Sequence, residues 1–326
     1  MSATASAESL FDRIRGRAAE VTRRACDVRI DAARLDALAR ALAEESAPHD
    51  DLDPMHHFAG EPARALAFTI ALDAINFGSG WFPVLAKRAG LSGYRQVATA
   101  CRESVERGDP WTGAWLRAAT PRSMAALLGQ SLAEPAVAEL MALFARAWRE
   151  LGEWLRDRHG DRFESAVESA GESAERLVRS LAALPLYADV ARYEELDVPF
   201  YKRAQITAAD LARVFHGEGW GRFHDLDRLT LFADNLVPHV LRCHGVLVYS
   251  APLATRIDGE ELLPSGAREE VEIRAVAVEA VERLVARLAE LGRPTTAHAL
   301  DGRLWNAGQS PAIKARPRHR TRCSYY

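Results

Sequence analysis

The sequence predicts an all-α protein built as a single helical domain. Apolar residues recur at steps of three and four along several long segments, which is the period of an amphipathic α-helix. Convincing strands are scarce: residues 245–250 (GVLVYS) are the best candidate, and that run equally fits a buried turn. The chain has 326 residues, of which 48% are hydrophobic and 27% charged, a composition typical of a globular protein with a large core.

The first half of the chain contains most of the predicted helices. Ala- and Arg-rich segments predict helices at 8–25 and 31–45. A helix over 62–76 follows, with a proline in its first turn, where the missing N–H group is not needed. Residues 135–158 form a further helix that ends at His159-Gly160. Its apolar stripe consists of Val137, Leu140, Met141, Phe144, Trp148, Leu151 and Leu155.

The second half continues the helical pattern. A more polar helix is predicted over about 161–183. Thr207 and Asp210 have the spacing of a capping box ahead of an apolar run, with Asp in place of Glu or Gln. The longest pattern covers 267–291 and ends at a glycine followed closely by a proline.

The chain shows no internal repeat and no long linker. Residues 1–50 are interpreted as an N-terminal helical appendage packed on the core. Residues 51–326 are interpreted as the main domain, which carries the chemistry.

The composition and the motifs of the chain exclude several classes of function. The net charge of −3 disfavours a stable nucleic-acid complex. The sequence has neither a long apolar run nor a secretory signal pattern, so we expect no membrane partner and a cytoplasmic location. The four cysteines are far apart, as in a reduced intracellular protein. Phosphate-loop, dinucleotide-binding and zinc-protease motifs are missing, so no cofactor and no metal are expected.

The region from His56 to Phe82 combines polar, aromatic and small residues. His56 and His57 precede the helix at 62–76. Asn76 and Phe77 follow it, and Gly78-Ser79-Gly80 leads to Trp81. Small residues let a ligand approach the backbone, and aromatic faces stack on planar rings. The alternative is an aromatic core under a loop.

Three further segments are not explained by a simple helical pattern. Residues 200–206 (FYKRAQI) place Tyr, Lys, Arg and Gln at a predicted helix N-terminus, where anions bind, although a charged surface turn is the alternative. Asp234 lies in an otherwise apolar stretch, and a buried carboxylate is costly unless it is paired or functional. The basic C-terminal segment ends in Cys-Ser-Tyr-Tyr, which suggests that this end is docked.

These segments together resemble the queuosine salvage family, the queuosine 5′-phosphate N-glycosylase/hydrolases. The resemblance covers roughly residues 50–326. The matching motifs are FYKRAQI at 200–206, L-T-x-F-A-D-x-x-x-P at 229–238, Y-S at 249–250, E-V-E-I-R at 270–274, L-D-x-x-L-W at 300–305 and H-R-x-R-C-x-Y-Y at 319–326.

The resemblance implies both a fold and a reaction. The fold would be all-α, with a core similar to that of helix-hairpin-helix DNA glycosylases. The hairpin would lie at 217–221, between the helix containing Thr207 and one containing Asp234. The reaction would release the 7-deazaguanine base queuine from queuosine 5′-phosphate, or from queuosine, by hydrolysis of the N-glycosidic bond. The substrate is thus expected to be a small-molecule nucleotide.

The resemblance also suggests a role for each candidate residue. Asp234 would stabilise the oxocarbenium-like transition state or activate the attacking water. Lys202 and Tyr201 would bind the ribose or the 5′-phosphate, and a Schiff base at Lys202 is a less favoured alternative. Stacking and binding of the remaining substrate groups would fall to Phe77, Trp81, Asn76, His56, His57, Arg203, Asp301 and Tyr326. A carboxylate, Asp301 or Asp73, would meet the amine of queuine.

Two other classes of protein remain open at this stage. One is a DNA repair glycosylase of the helix-hairpin-helix type, and the other is a non-catalytic protein that binds 7-deazaguanines or tRNA.

Overall fold

The computed structural model describes residues 8–45, residue 58 and residues 60–326. Within these residues the chain is mostly helical, which confirms the helical character that the sequence predicts. The α-helices are α1 (Leu10–Arg24), α2 (Ala32–Glu44), α3 (Pro62–Asp73), α4 (Gly93–Glu106), α5 (Gly113–Arg117), α6 (Pro121–Leu128), α7 (Pro135–His159), α8 (Phe163–Glu168), α9 (Ala174–Leu181), α10 (Lys202–Val214), α11 (Val237–Cys243), α12 (Ala251–Asp258), α13 (Arg268–Glu290), α14 (Ala297–Ala307) and α15 (Pro311–Lys314).

Two small antiparallel sheets accompany the helices. Strand β1 (Val28–Ile30) pairs with β4 (Leu247–Tyr249), and β2 (Val190–Tyr193) pairs with β3 (Leu196–Pro199). The segment at 247–249 is therefore a strand rather than a turn. The other three strands have only three or four residues each, which is too short for an alternating pattern to stand out in the sequence.

Helix α13 lies at the centre of the fold. Its N-terminal half is buried on nearly all sides, including charged residues such as Glu272 and Arg274. Helices α1 and α2 pack on it, and α11 and α14 pack elsewhere along its length. A helix that is buried on all sides belongs to the core, so α13 is the central helix against which the surrounding helices pack.

The N-terminal helices make extensive contact with the rest of the molecule. The hydroxyl of Ser9 and the N–H of Leu10 donate to the carboxylate of Glu175 at 2.6 and 2.8 Å. The buried carboxylate of Glu272 accepts hydrogen bonds from the backbone N–H groups of Cys26–Val28, at 2.7–3.1 Å. We retain the boundary near residue 50 as a prediction.

The structure corrects several local expectations. The polar helix expected at 161–183 is two helices, α8 and α9, separated by Gly171 with φ +52°, and Ser173 caps α9. Thr207 does not cap a helix: it lies inside α10, where its hydroxyl donates to the carbonyl of Arg203. Asp234 lies in the loop before α11 and not in a helix.

No helix in the described residues is long and apolar enough to cross a membrane.

Candidate active site

A cavity of about 1070 Å³ brings together residues that are far apart in the sequence. Its wall is formed mainly by the loop after α3, α10, the loop before α11, α14 and the C-terminal segment. Among the residues expected from the sequence, the lining includes Asn76, Phe77, Lys202, Asp234, Asp301 and Tyr326. A cavity of this size can enclose a nucleotide.

Lys202 begins α10, and its ammonium group is held in place. Its Nζ donates to the carbonyl oxygen of Asn76 at 3.1 Å and to the side-chain Oδ1 of the same residue at 3.2 Å. The side chain is buried, which lowers the pKa of Lys202, and the negative charge of Asp234 opposes that shift. The amine is thus fixed beside the acidic part of the cavity.

Asp234 is a half-buried residue of the cavity wall. Its Oδ1 accepts hydrogen bonds from the N–H groups of Leu236 at 2.7 Å and Val237 at 3.1 Å. These bonds fix the carboxylate at the start of α11. A carboxylate with one oxygen fixed in this way is suited to act on a reacting centre through the other oxygen.

Asp301, on α14, is the second cavity carboxyl group. It is buried, and its Oδ1 accepts a hydrogen bond from the N–H of Phe232 at 3.2 Å. Burial and the nearby charge of Asp234 raise the pKa of Asp301 well above its usual range. Two carboxyl groups with different environments can take different roles, one as an anion and the other as a proton or hydrogen-bond donor.

The alternative carboxylate, Asp73, is buried behind this site and does not line the cavity. Burial, followed by the charge of Asp210, raises its pKa well above the usual range. Of the two carboxylates considered for the amine of the base, only Asp301 is placed to meet a ligand.

A buried ion pair connects the start of α10, which carries Lys202, with the loop that carries Asp234. The guanidinium of Arg274 binds Asp189 through two hydrogen bonds, at 3.0 and 2.7 Å, and its Nε donates to the carbonyl of Ala233 at 2.9 Å. Asp189 also accepts the backbone N–H of Lys202 at 3.2 Å. Arg274 therefore pairs chiefly with Asp189 rather than with a glutamate of its own helix.

Three of the expected binding residues do not line the cavity. Trp81 is buried and donates its Nε1–H to Glu139 at 2.8 Å. The guanidinium of Arg203 stacks on the ring of Tyr187, and its Nη1 and Nη2 donate to the carbonyls of Ala74 and Leu186 inside the core. Tyr201 is only partly buried, takes the left-handed backbone conformation just before α10, and is not among the residues that line the cavity.

Phe77 contributes to the wall but is almost fully buried. Its ring packs edge-on against Phe144, with 5.0 Å between the ring centroids. Phe77 and Trp81 therefore act largely as aromatic core residues, which is the alternative interpretation of this segment. Aromatic side chains that line the cavity from other elements are Phe82, Tyr94, Phe232 and Trp305.

The C-terminal segment is docked, as its composition suggests. The backbone oxygen of Tyr326 accepts hydrogen bonds from Gly78 at 3.0 Å and Ser79 at 3.3 Å, and its hydroxyl donates to Glu270 at 2.8 Å. A Cβ on Gly80 would lie 2.5 Å from the carbonyl oxygen of Thr321. The glycine therefore permits the close passage of the two backbones.

The sequence model of the queuosine salvage protein family matches residues 56–326, and so takes in every segment of this cavity wall from α3 onwards. The chain belongs to the queuosine salvage protein family. Three similar proteins bear the name queuosine 5′-phosphate N-glycosylase/hydrolase. That of Sphaerobacter thermophilus is 38% identical over 81% of this chain and 82% of its own length. The mouse protein is 32% identical over 82% and 83%, and the bovine one is 34% identical over 72% of each chain.

The cavity of this queuosine salvage protein also contains residues that sequence reasoning did not select. Arg318 and Arg320 lie in or next to the C-terminal motif, and Trp305 ends the L-D-x-x-L-W motif. The two motifs could therefore have identified these three residues as candidates. Asp189 lies outside every quoted motif, and only the fold shows its link to Arg274. His56 and His57 lie outside the described residues.

Proposed function

We propose that this protein hydrolyses the N-glycosidic bond of queuosine 5′-phosphate and releases queuine for salvage into tRNA modification. The observation that supports the proposal most is the placement of Asp234, Asp301 and Lys202 on one cavity in a chain of the queuosine salvage family. The similar proteins bear the name of this activity. Queuosine without the phosphate is the related substrate to compare.

Asp234 is the proposed catalytic carboxylate. Cleavage of an N-glycoside builds positive charge on the ribose ring, and a fixed anion near C1′ stabilises that charge. Water supplies the oxygen that bonds to C1′ while the bond from C1′ to the base nitrogen breaks. One proton of the water passes to the carboxylate or to solvent, and the departing base nitrogen gains a proton. The products are queuine and ribose 5-phosphate.

Asp301 is proposed as a hydrogen-bond donor to the base. Its raised pKa favours the protonated form, which donates a hydrogen bond. An ion pair with the queuine amine would instead require the ionised form, so the structure favours the donor role over the amine-binding role. Queuine has carbon where guanine has N7, and the enzyme therefore depends on other polar groups of the base to assist its departure.

Lys202 is proposed to act through its charge rather than as a nucleophile. Its ammonium group, bound by Asn76, interacts electrostatically with the carboxyl groups of Asp234 and Asp301. Hydrolysis needs no covalent bond to the amine. Asn76 and Tyr326 complete the proposed binding residues on this side of the cavity, together with Phe77 in its wall.

The experiment incubates the purified protein with queuosine 5′-phosphate, queuosine and GMP, and measures free base by mass spectrometry. We expect release from queuosine 5′-phosphate and a loss of about 10²- to 10⁴-fold in kcat for Asp234→Asn. The matched control is Asp157→Asn, an exposed change on α7 that removes the same charge. A protein that binds the substrate but releases no base would be a binder rather than an enzyme.

A helix-hairpin-helix core is part of the same proposal. In its support, Gly217–Gly221 follows α10 directly, and Gly221 packs so closely that a Cβ would lie 2.5 Å from the carbonyl oxygen of Leu211. The next α-helix begins only at Val237, so the second helix of the motif is more distant than the sequence suggested. A cytoplasmic location and the lack of a stable nucleic-acid complex stay predictions.

A further inference from the structure

The C-terminal segment contributes a cationic wall to the cavity. Lys314, Arg316, Arg318 and Arg320 all line it. Between Arg318 and Arg320, His319 is buried, at 1% exposure. In an extended chain, alternate residues point to the same side, so Arg318 and Arg320 share the face opposite to His319.

This wall is fixed beside the proposed catalytic group. The side-chain amide of Asn235, the residue after Asp234, donates to the carbonyl of His319 at 3.2 Å. The N–H of Leu263 donates to the carbonyl of Arg320 at 2.9 Å. The first bond joins the basic segment to the loop carrying Asp234, and the second joins it to the loop before α13.

Arg318 has unused hydrogen-bonding capacity. Its Nε is buried and has no hydrogen-bond partner within the part of the chain that the structure describes. By contrast, Arg320 pairs with Glu260 at 3.0 Å. Arg303, on the other side of the cavity, also has a buried Nε without a partner among the described residues, but its Nη2 pairs with Glu45 at 2.8 Å. A buried guanidinium nitrogen without an acceptor is costly, and a ligand oxygen can satisfy it.

The cations of this wall also repel one another. Burial and Arg320 lower the pKa of Arg318, against the opposing effect of Asp234. Burial and Arg320 likewise lower the pKa of Lys87, which lines the same cavity. Burial, followed by Arg95 and Arg318, lowers the pKa of Lys314. An anion placed among these groups would relieve this repulsion.

We propose that Arg318, together with Arg316 and Arg320, binds the 5′-phosphate of the substrate. This inference rests on the proposed function and assigns the part of the cavity that recognises the phosphate. It replaces the expectation that Lys202 and Tyr201 bind that group. Lys202 is bound by Asn76 on the acidic side of the cavity, and Tyr201 does not line the cavity. A planar guanidinium can bind two phosphate oxygens at once, which a lysine ammonium cannot do in the same geometry.

The test compares kcat/KM for queuosine 5′-phosphate and queuosine in Arg318→Ala, Arg318→Lys and wild type. Loss of a charged hydrogen-bond partner is expected to lower kcat/KM for the phosphorylated substrate about 10- to 100-fold. The value for queuosine should change less than threefold. Arg318→Lys should keep the charge but recover only part of the loss. Arg322→Ala is the control, because it removes the same charge from the same segment but lies outside the cavity lining.

A second measurement remains decisive if Arg318→Ala fails to fold. Ribose 5-phosphate, the expected product, should raise the melting temperature of the wild-type protein more than ribose does, and Arg318→Lys should reduce that difference. An unchanged preference for the phosphorylated ligand in both assays would overturn the inference. If wild type releases no base from either substrate, the proposed function fails, while the ribose 5-phosphate comparison still tests the anion site.

Discussion

Replacing Arg274 by lysine should damage both stability and catalysis, although it keeps the charge. The arginine makes two hydrogen bonds to Asp189 and one to the carbonyl of Ala233, all buried. Lysine cannot reproduce this planar arrangement. An unsatisfied Ala233 carbonyl costs about 1–3 kcal/mol, and a lost charged hydrogen bond about 1.5–3 kcal/mol. The free energy of unfolding should fall by about 3–5 kcal/mol, the range measured for breaking buried ion pairs.

The assay is urea denaturation followed by circular dichroism, with kcat measured under conditions where the variant is folded. We expect kcat to fall as well, because Ala233 directly precedes Asp234 and Asp189 holds the N–H of Lys202. The control is Arg283→Lys on the same helix, where the exposed pair with Glu279 contributes about 0.3–0.5 kcal/mol. A loss of less than 1 kcal/mol in Arg274→Lys, with normal kcat, would refute the role assigned to this pair.

Two further predictions concern Asp301 and the passage of the C-terminal segment. In wild type, kcat/KM should fall as the pH rises through the raised pKa of Asp301, because ionisation removes the donated proton; Asp301→Asn cannot ionise and should lack this alkaline decline in a pH profile. Gly80→Ala should lower both the melting temperature and kcat, because the added Cβ would collide with the backbone of Thr321. The control is Gly16→Ala in α1. Open space surrounds Gly16, and alanine favours the helix, so this change should raise the melting temperature slightly. Equal effects of the two glycine substitutions would contradict the docking argument.

The sequence predicts the long helices well because their apolar periodicity is sustained. The predicted segments 135–158 and 267–291 match α7 and α13 to within a residue at each end. Prediction of secondary structure fails where a helix break depends on one or two residues, or where a strand is too short to show a pattern. A glycine and a serine break the segment 161–183, and the short strands β2 and β3 are stabilised by pairing with each other rather than by a pattern of their own.

The candidate site was predictable in part. Asp234, Lys202, Asp301, Asn76, Phe77 and Tyr326 were selected from motifs, and all of them line the cavity. Other residues of the same motifs do not line the cavity. Arg203 lies one position from Lys202 but faces the core, because successive helical positions point about 100° apart. For the phosphate we propose a segment that sequence reasoning did not select, because the sequence does not show that residues 314–320 fold back beside Asp234.

The contact between Gly78 and Tyr326 has a consequence for how the protein is made. The two residues are far apart in the sequence, so this contact closes a loop that includes most of the chain. During synthesis the helices from α1 to α13 can begin to pack while the last segment is still inside the ribosome. The nascent protein therefore acquires its hydrophobic core before it has a closed cavity. Binding competence should therefore appear late, once residues 314–326 have left the ribosome and docked on the cavity.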